Sequence, residues 1–331
     1  MSEGDLPLPL LAARKAASLL ARIRMIYSRR TSRFAGRDVL SASATNEKIF
    51  ALLRKGEPFM VSRLGSAELA VWVNYQGILA QAGSRHVARW RSQIRGEPAR
   101  WSPTVSHAFA NNAGFFSPTN ACLERYAKEL GDWLSMADLM AILWFDRHEE
   151  RALERHASKS ILGLPMGLEA YYHEHPWSLA LAGRRVLVIH PFAGSIQTQY
   201  AHRHMLFGGK EVLPDLDLLT MPAVQSIAGQ NPGFPDWFAA LDSMRTRIAQ
   251  TQFDVAIIGA GAYGLPLATF VKQLGKQAIH LGGSTQVLFG IRGRRWDDRP
   301  EVNRFYNNYW VRPSSAETPQ RSDTVEQGCY W

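Results

Sequence analysis

Three stretches of this 331-residue chain combine residue types that could do chemistry. In Arg63-Leu-Gly65-Ser66-Ala-Glu68, a guanidinium closes an apolar run and a carboxylate follows at the start of the next segment. Such a carboxylate can hold a divalent metal, bind a sugar hydroxyl or take an acceptor's proton. It can also simply complement the dipole of the helix it opens. In His190-Pro-Phe-Ala-Gly-Ser195, a small residue and a hydroxyl begin a second helix, which makes a candidate anion site. His190 there reads equally as a general base or as a histidine bonded to backbone. The most informative stretch is Phe253-Asp-Val-Ala-Ile-Ile-Gly259-Ala-Gly261-Ala-Tyr263-Gly264, an apolar strand running into a glycine turn and then an apolar-periodic helix. A turn of this kind lets backbone N–H groups and a helix N-terminus approach a phosphate.

The glycine spacing suggests a dinucleotide, but the next strand argues against one. Dinucleotide sites place an acidic residue at the end of that strand to hold the ribose. Here the strand is Gln277-Ala-Ile-His280-Leu281, followed by Gly282-Gly283, and it offers no carboxylate. Downstream, glycines and hydroxyls lead into Gly290-Ile-Arg292-Gly-Arg294-Arg295-Trp296, a candidate diphosphate cradle. Trp296 or Tyr263 is then placed to stack on a base. Asn307-Asn-Tyr-Trp-Val-Arg312 suits sugar recognition, through rings against C–H faces and amides on hydroxyls. Asp215-Leu-Asp217 is a common short match. Asp146-Arg-His-Glu149 is a candidate for the same rim on position alone. No Gly-x-Ser-x-Gly elbow or phosphate-binding Gly-x-x-x-x-Gly-Lys loop occurs, which argues against a serine hydrolase or a P-loop NTPase.

The elements that must position these groups alternate. Helix is expected over 38–56, capped by Ser43 or Thr45, and strand over 58–63. Helix then starts at Ser66, and strands follow at 139–144, 160–164, 184–190 and 216–220. Helix is expected over 196–207 and 237–250. Strand–helix alternation over 184–290 predicts an α/β fold with a Rossmann-like, doubly wound, mainly parallel sheet, whose ligands lie beyond the carboxyl ends of the strands. The division expected is an arm (1–37) and one α/β unit (38–331), with an N-terminal half (38–180) and a nucleotide-binding half (181–331). The aromatic end Cys329-Tyr-Trp331 predicts a tail folded back onto the body.

Composition is that of a globular protein, 46% hydrophobic and 20% charged. The net charge of +9 is concentrated: residues 1–37 carry eight basic and two acidic side chains. The body is nearly neutral and carries no nucleic-acid-binding signature, so no nucleic-acid partner is expected. The arm has one apolar helical face (Ala16, Leu19, Leu20, Ile23, Ile26, Tyr27), which reads as a helix docked on the body or as peripheral membrane contact through residues 10–30. Cys122 and Cys329 are unpatterned, and the location expected is cytoplasmic, with the inner membrane face as a variant.

Two blocks carry a family resemblance. The Arg63–Glu68 segment is similar to the Arg-x-Gly-Asp-Gly-Glu-Leu segment of GT-D-type glycosyltransferases. Ile257-Ile-Gly-Ala-Gly261 and Gly275-Lys-Gln-Ala-Ile-His-Leu-Gly282 resemble that family's C-terminal strand–helix–strand block. The resemblance implies a GT-D-like fold and transfer of a sugar from a nucleoside diphosphate donor to a glycan or glycoconjugate acceptor in surface-polysaccharide synthesis. Taken with the clusters above, the donor contacts expected are Arg63, Gly65, Ser66, Ser195, Gly259, Gly261, Tyr263, Gly264, His280, Gly282, Gly283, Arg292 and Arg295. Glu68 is the expected catalytic group, with His190 as reserve base. Manganese or magnesium at Glu68 is also implied, although Ser66 stands where that family has an acid. The alternatives are an NAD(P)-dependent oxidoreductase and a non-catalytic nucleotide- or glycan-binding module.

Overall fold

The computed structural model describes residues 33–83, 86–230 and 232–331. Its strands are β1 (Arg33–Phe34), β2 (Arg37–Leu40), β3 (Phe59–Arg63), β4 (Leu139–Ala141), β5 (Ile161–Gly163), β6 (Arg185–His190), β7 (Asp217–Pro222), β8 (Val255–Ile258) and β9 (Gln277–His280). They form one sheet in the order β1-β2-β5-β4-β3-β9-β8-β6-β7, antiparallel only between β1 and β2. The strands before residue 180 and those after it meet at β3 and β9, with Phe59 opposite Gln277 and Val61 opposite Ile279. From β6 the chain moves outward to β7 and then back to β8 on the other side, so the strand order reverses between β6 and β8.

Helices α1 (Ala42–Lys55), α2 (Ser66–Ala82), α3 (His86–Ile94), α4 (Pro103–Ala113), α5 (Asn120–Ser135), α6 (Arg147–His156), α7 (Ala193–Tyr200), α8 (Trp237–Ala249), α9 (Gly264–Gln273) and α10 (Ser284–Leu288) cover the two faces. Strand side chains alternate between those faces. Leu187, Ile189, Ala256 and Ile258 join a core built with Trp72, Tyr126, Trp133 and Trp237. Val186, Val188, Val255 and Ile257 join a second core with Ile49, Trp177, Ile196 and Trp310. Both faces of the central strands are buried, which is why they read as unbroken apolar runs. No helix among the described residues is long and apolar enough to cross a membrane.

Some boundaries differ from the expectation. Residues 37–40 are strand, and α1 starts after them with Ser41 as its cap, accepting from the N–H of Ala44 (3.2 Å). Thr45 instead donates to the Ser41 carbonyl (2.7 Å). The expected arm helix over 10–30 lies outside the described residues. Arg33 and Arg37, assigned to that arm, belong to the edge hairpin, and the Arg37 guanidinium donates to the carbonyls of Ala157 (2.7 Å) and Ser160 (2.8 Å) beyond α6. Helix α7 stops at Tyr200, where the expected helix ran on to Phe207.

Gly264 is where strand and helix meet most closely, because any Cβ there would run into the His280 imidazole. Gly264→Ala should therefore cost about 1–3 kcal/mol by overpacking the helix start against a buried imidazole ring. A guanidinium melt of this variant beside the wild type measures that cost.

Candidate functional site at the carboxyl rim

The reversal between β6 and β8 opens a cleft at the carboxyl ends of β6, β8 and β9. It encloses about 550 Å³ of empty space, part of it open solvent. His190, Gly259, Gly261, Tyr263 and Gly283 line it, with Asn112, Gln225, Ser226, Gln286, Tyr330 and Trp331. Ligands of open α/β sheets bind at such reversals.

Much of the glycine turn is filled by the protein itself. A Cβ at Gly259 would meet the Gly282 carbonyl (2.5 Å), the His190 ring (2.7 Å) and Thr285 Oγ1 (2.7 Å). Gly261 has φ +52° and approaches the Ala113 carbonyl at the end of α4. The three glycines thus let β6, β9 and α4 close on the turn. The start of α9 still has neither an acidic residue in its first turn nor a side-chain cap. Tyr263 is not available to stack on a base, because it lies flat against Trp237 (centroids 4.8 Å, 8°) and its hydroxyl meets Ser226 Oγ (3.2 Å). Trp296 is likewise buried, 3% exposed.

His190 is 4% exposed. The N–H of Phe192 donates to its Nδ1 (3.0 Å). That nitrogen therefore carries the lone pair, and the proton of the neutral ring sits on Nε2. Burial pulls the imidazole pKa down to about 3, against the charge of Glu317. His190 is accordingly a neutral hydrogen-bond donor at the cleft, and the general base expected from sequence is not formed. His280 is also held neutral: burial first and Arg63 second lower its pKa to about 3, and its Nδ1 lies 2.9 Å from Ser62 Oγ.

Beside the cleft, Arg63, Glu68, His280 and Gly282 come together. The Arg63 guanidinium would lie 3.1 Å from a Cβ on Gly282, whose φ is +65°. Gly65 precedes α2 and Ser66 is exposed at its start. The Glu68 carboxylate folds back over Gly65 at that helix N-terminus. Burial raises its pKa, its own N–H and Arg63 oppose the rise, and Glu326 adds to it. Glu169 joins this cluster. It accepts from Ser284 Oγ (2.6 Å), and burial raises its pKa against Ser284 and Arg63. These donors do not suit a divalent cation, because Glu68 is turned onto its own helix and Arg63 already supplies the positive charge. Among the described residues no group of three or more His, Cys, Asp or Glu side chains could hold a metal ion. No step is therefore assigned to a metal.

The remaining expected groups have other work. Glu317 occupies the helix start at Ser195, taking the N–H groups of Gly194 (2.9 Å) and Ser195 (3.0 Å) and the Ser195 hydroxyl. Arg292 pairs with Asp297 (3.8 Å) over the Tyr306 ring. Arg295 pairs with Glu326 and lies 4.7 Å over the Tyr330 ring. The basic segment therefore anchors the C-terminal tail and forms no diphosphate cradle. Trp310 is core, and Asn307 bonds the Met205 carbonyl (2.9 Å). Asp146 caps α6, while Glu149 turns inward to the N–H groups of Leu143, Trp144 and Phe145. Asp217 opens β7 at the opposite end of the sheet.

Sequence reasoning missed Glu169 and Glu317. Glu169 is the lone acid in Met166-Gly-Leu-Glu-Ala-Tyr-Tyr172, and Ser314-Ser-Ala-Glu317 is a capping-box pattern; both were visible signals. Comparison with protein-family models, curated proteins and solved structures found no match.

Both depressed histidines couple stability to pH. The unfolded chain protonates near pH 6.5 and the folded rings near 3, so their contribution is complete above pH 6.5 and is lost as pH falls. By pH 5 the loss should reach about 2 kcal/mol per histidine, read from denaturant melts at pH 7 and pH 5. Nitrogen chemical shifts of His190 should show the Nε2–H form unchanged between those pH values.

Proposed function

We propose that this protein is a glycosyltransferase using a nucleoside diphosphate sugar, with the diphosphate bound where the strand order reverses. The observation that carries the reading is the convergence, at one rim, of the uncapped start of α9, the His190 donor and the Arg63–Glu68 pair. The two sequence blocks that resemble GT-D enzymes lie on the strands that build this rim. In the reaction, the acceptor oxygen attacks the anomeric carbon and the bond from that carbon to the diphosphate oxygen breaks. Glu68 takes the acceptor's proton. Arg63, His190 Nε2–H and the N–H groups opening α9 stabilise charge on the departing diphosphate. The acceptor would be a glycan or glycoconjugate, reached in the cytoplasm or at the inner membrane face.

A second reading is a nucleotide- or glycan-binding module without turnover. It is favoured by the Glu68 carboxylate lying on its own helix N-terminus. The oxidoreductase reading fares worse, because Glu169, a carboxylate beside the segment that follows β9, is bonded to Ser284 and does not line the cleft.

Thermal melts with UDP, GDP, CMP, dTDP, NAD and NADP, each with and without manganese, separate these readings. One nucleoside diphosphate should raise the melting temperature regardless of manganese. A rise with NAD or NADP alone would sink the proposal. With the sugar donor built on that base, Glu68→Gln should lower turnover about 100-fold or more while leaving donor Kd unchanged. Full turnover in that variant removes Glu68 from the mechanism.

A further inference from the structure

Gln286 lies on α10, just beyond β9. Its side chain is fully buried, and it lines the cleft together with Gly283, Tyr330 and Trp331. Its amide nitrogen donates to the Tyr330 carbonyl (3.0 Å) and to the Ile291 carbonyl (3.4 Å). Those two acceptors fix which end of the amide is which, because a flipped amide would set its oxygen against both carbonyls. The oxygen, Oε1, has no hydrogen-bond partner among the described residues. A buried acceptor without a donor costs free energy, and a ligand that brings the donor recovers it. The other unpartnered glutamine oxygen, Gln277 Oε1, belongs to a residue at the opposite end of β9 that does not line the cleft.

The cleft itself says what kind of donor belongs there. None of the described residues that line it carries a charge once His190 is neutral, so it suits the uncharged part of a ligand. A phosphate dianion offers only acceptor oxygens and would leave Oε1 unpaired. Tyr330 and Trp331 stand at 90° to one another, so they form a corner and not a slot. A flat base fills a slot, whereas a puckered sugar ring meets a corner with C–H groups on one side and hydroxyls on the other. The corner is held in place: the Trp331 indole N–H donates to the Glu317 carbonyl (3.2 Å), and its ring meets Phe192 edge-on. The amides of Asn112 and Gln225 line the same cleft, and amides both give hydrogen bonds to hydroxyls and take them.

We infer that the cleft binds an uncharged sugar ring, with one ring hydroxyl donating to Gln286 Oε1 and a C–H face of the ring against the corner of Tyr330 and Trp331. The ring is the ribose of a nucleotide or a hexose, which share this chemistry. Gln286 is then a specificity-determining residue: a ring lacking that hydroxyl leaves a buried acceptor unpaired and is rejected. The inference deepens the transferase reading and rests on it only for what the ring is attached to.

The test uses the full chain with glucose 1-phosphate and ribose 5-phosphate as probes, and follows the side-chain amide resonances of Gln286. The sugar that occupies the cleft should move those resonances in a saturable way, because a donor on Oε1 polarises the amide. Inorganic phosphate should leave them where they are. A response to glucose 1-phosphate alone assigns the ring to a hexose, a response to ribose 5-phosphate alone assigns it to the ribose, and a response to both still places a sugar ring at Oε1. Gln286→Met keeps the length of the side chain and removes the strong acceptor. It should weaken binding of the responding sugar phosphate about tenfold, read from the Trp331 indole N–H; where this variant folds poorly, the wild-type resonances carry the test alone. Gln286 resonances unmoved by both sugars, an equal response to inorganic phosphate, or unchanged affinity in Gln286→Met would overturn the inference. A nucleoside diphosphate that raises the melting temperature while both sugar phosphates leave Gln286 unmoved would sink the sugar site and spare the transferase reading. A sugar response without binding of any nucleoside diphosphate would do the reverse.

Discussion

The rim depends on three strand ends being allowed to touch. β6, β8 and β9 finish close enough for Gly259 to lie between the His190 ring and the Gly282 carbonyl, and for Gly264 to face the His280 imidazole. That approach excludes water from both rings, and their neutrality follows from it: a charged imidazole at 4% or 6% exposure is too costly to desolvate. Neutrality fixes chemistry in turn. With Nδ1 committed to Phe192, His190 can offer the cleft only a proton. The missing Cβ atoms, the strand spacing and the hydrogen-bonding sense of the site are one constraint seen at three scales.

The parts of this arrangement that were legible in sequence share a feature: their cause is local. Unbroken apolar runs marked β6 and β8 because parallel strands between two helical layers bury both faces. The glycine turn was visible because close approach needs glycine whatever does the approaching. The identity of that neighbour was not visible. Sequence reading placed a phosphate against Gly261, whereas the Ala113 carbonyl is there, brought by a helix nearly 150 positions earlier. Arg292 and Arg295 misled for the same reason. Their charge suits a diphosphate, but Glu326 lies within reach of Arg295 only once the tail has folded back, while Asp297 is a close sequence neighbour of Arg292. The terminal aromatics announced that folding back, and the capping pattern at Ser314 announced a fixed Glu317. Neither told which helix Glu317 would meet.

Charge at the helix starts gives the rim its logic. Parallel α/β sheets aim several helix N-termini toward one edge, and each carries partial positive charge and unsatisfied N–H groups. Here that demand is met from within. Glu68 covers the start of α2, Asp146 caps α6, Asp236 caps α8, and Glu317 covers α7 from more than 100 residues away. Helix α9 is different, since it follows the Gly261–Tyr263 turn without a side-chain cap or an acid in its first turn, and its first N–H, on Gly264, donates to the Gly261 carbonyl. The α7 start differs from its neighbours in another way. Glu68, Asp146 and Asp236 each lie within or next to the helix they serve, so removing one means rearranging that helix. Glu317 is instead supplied by the C-terminal segment, far from α7 in sequence. The demand for negative charge at α7 is thus met by a residue remote in sequence, which no reading of the helix's own neighbourhood could have paired with it.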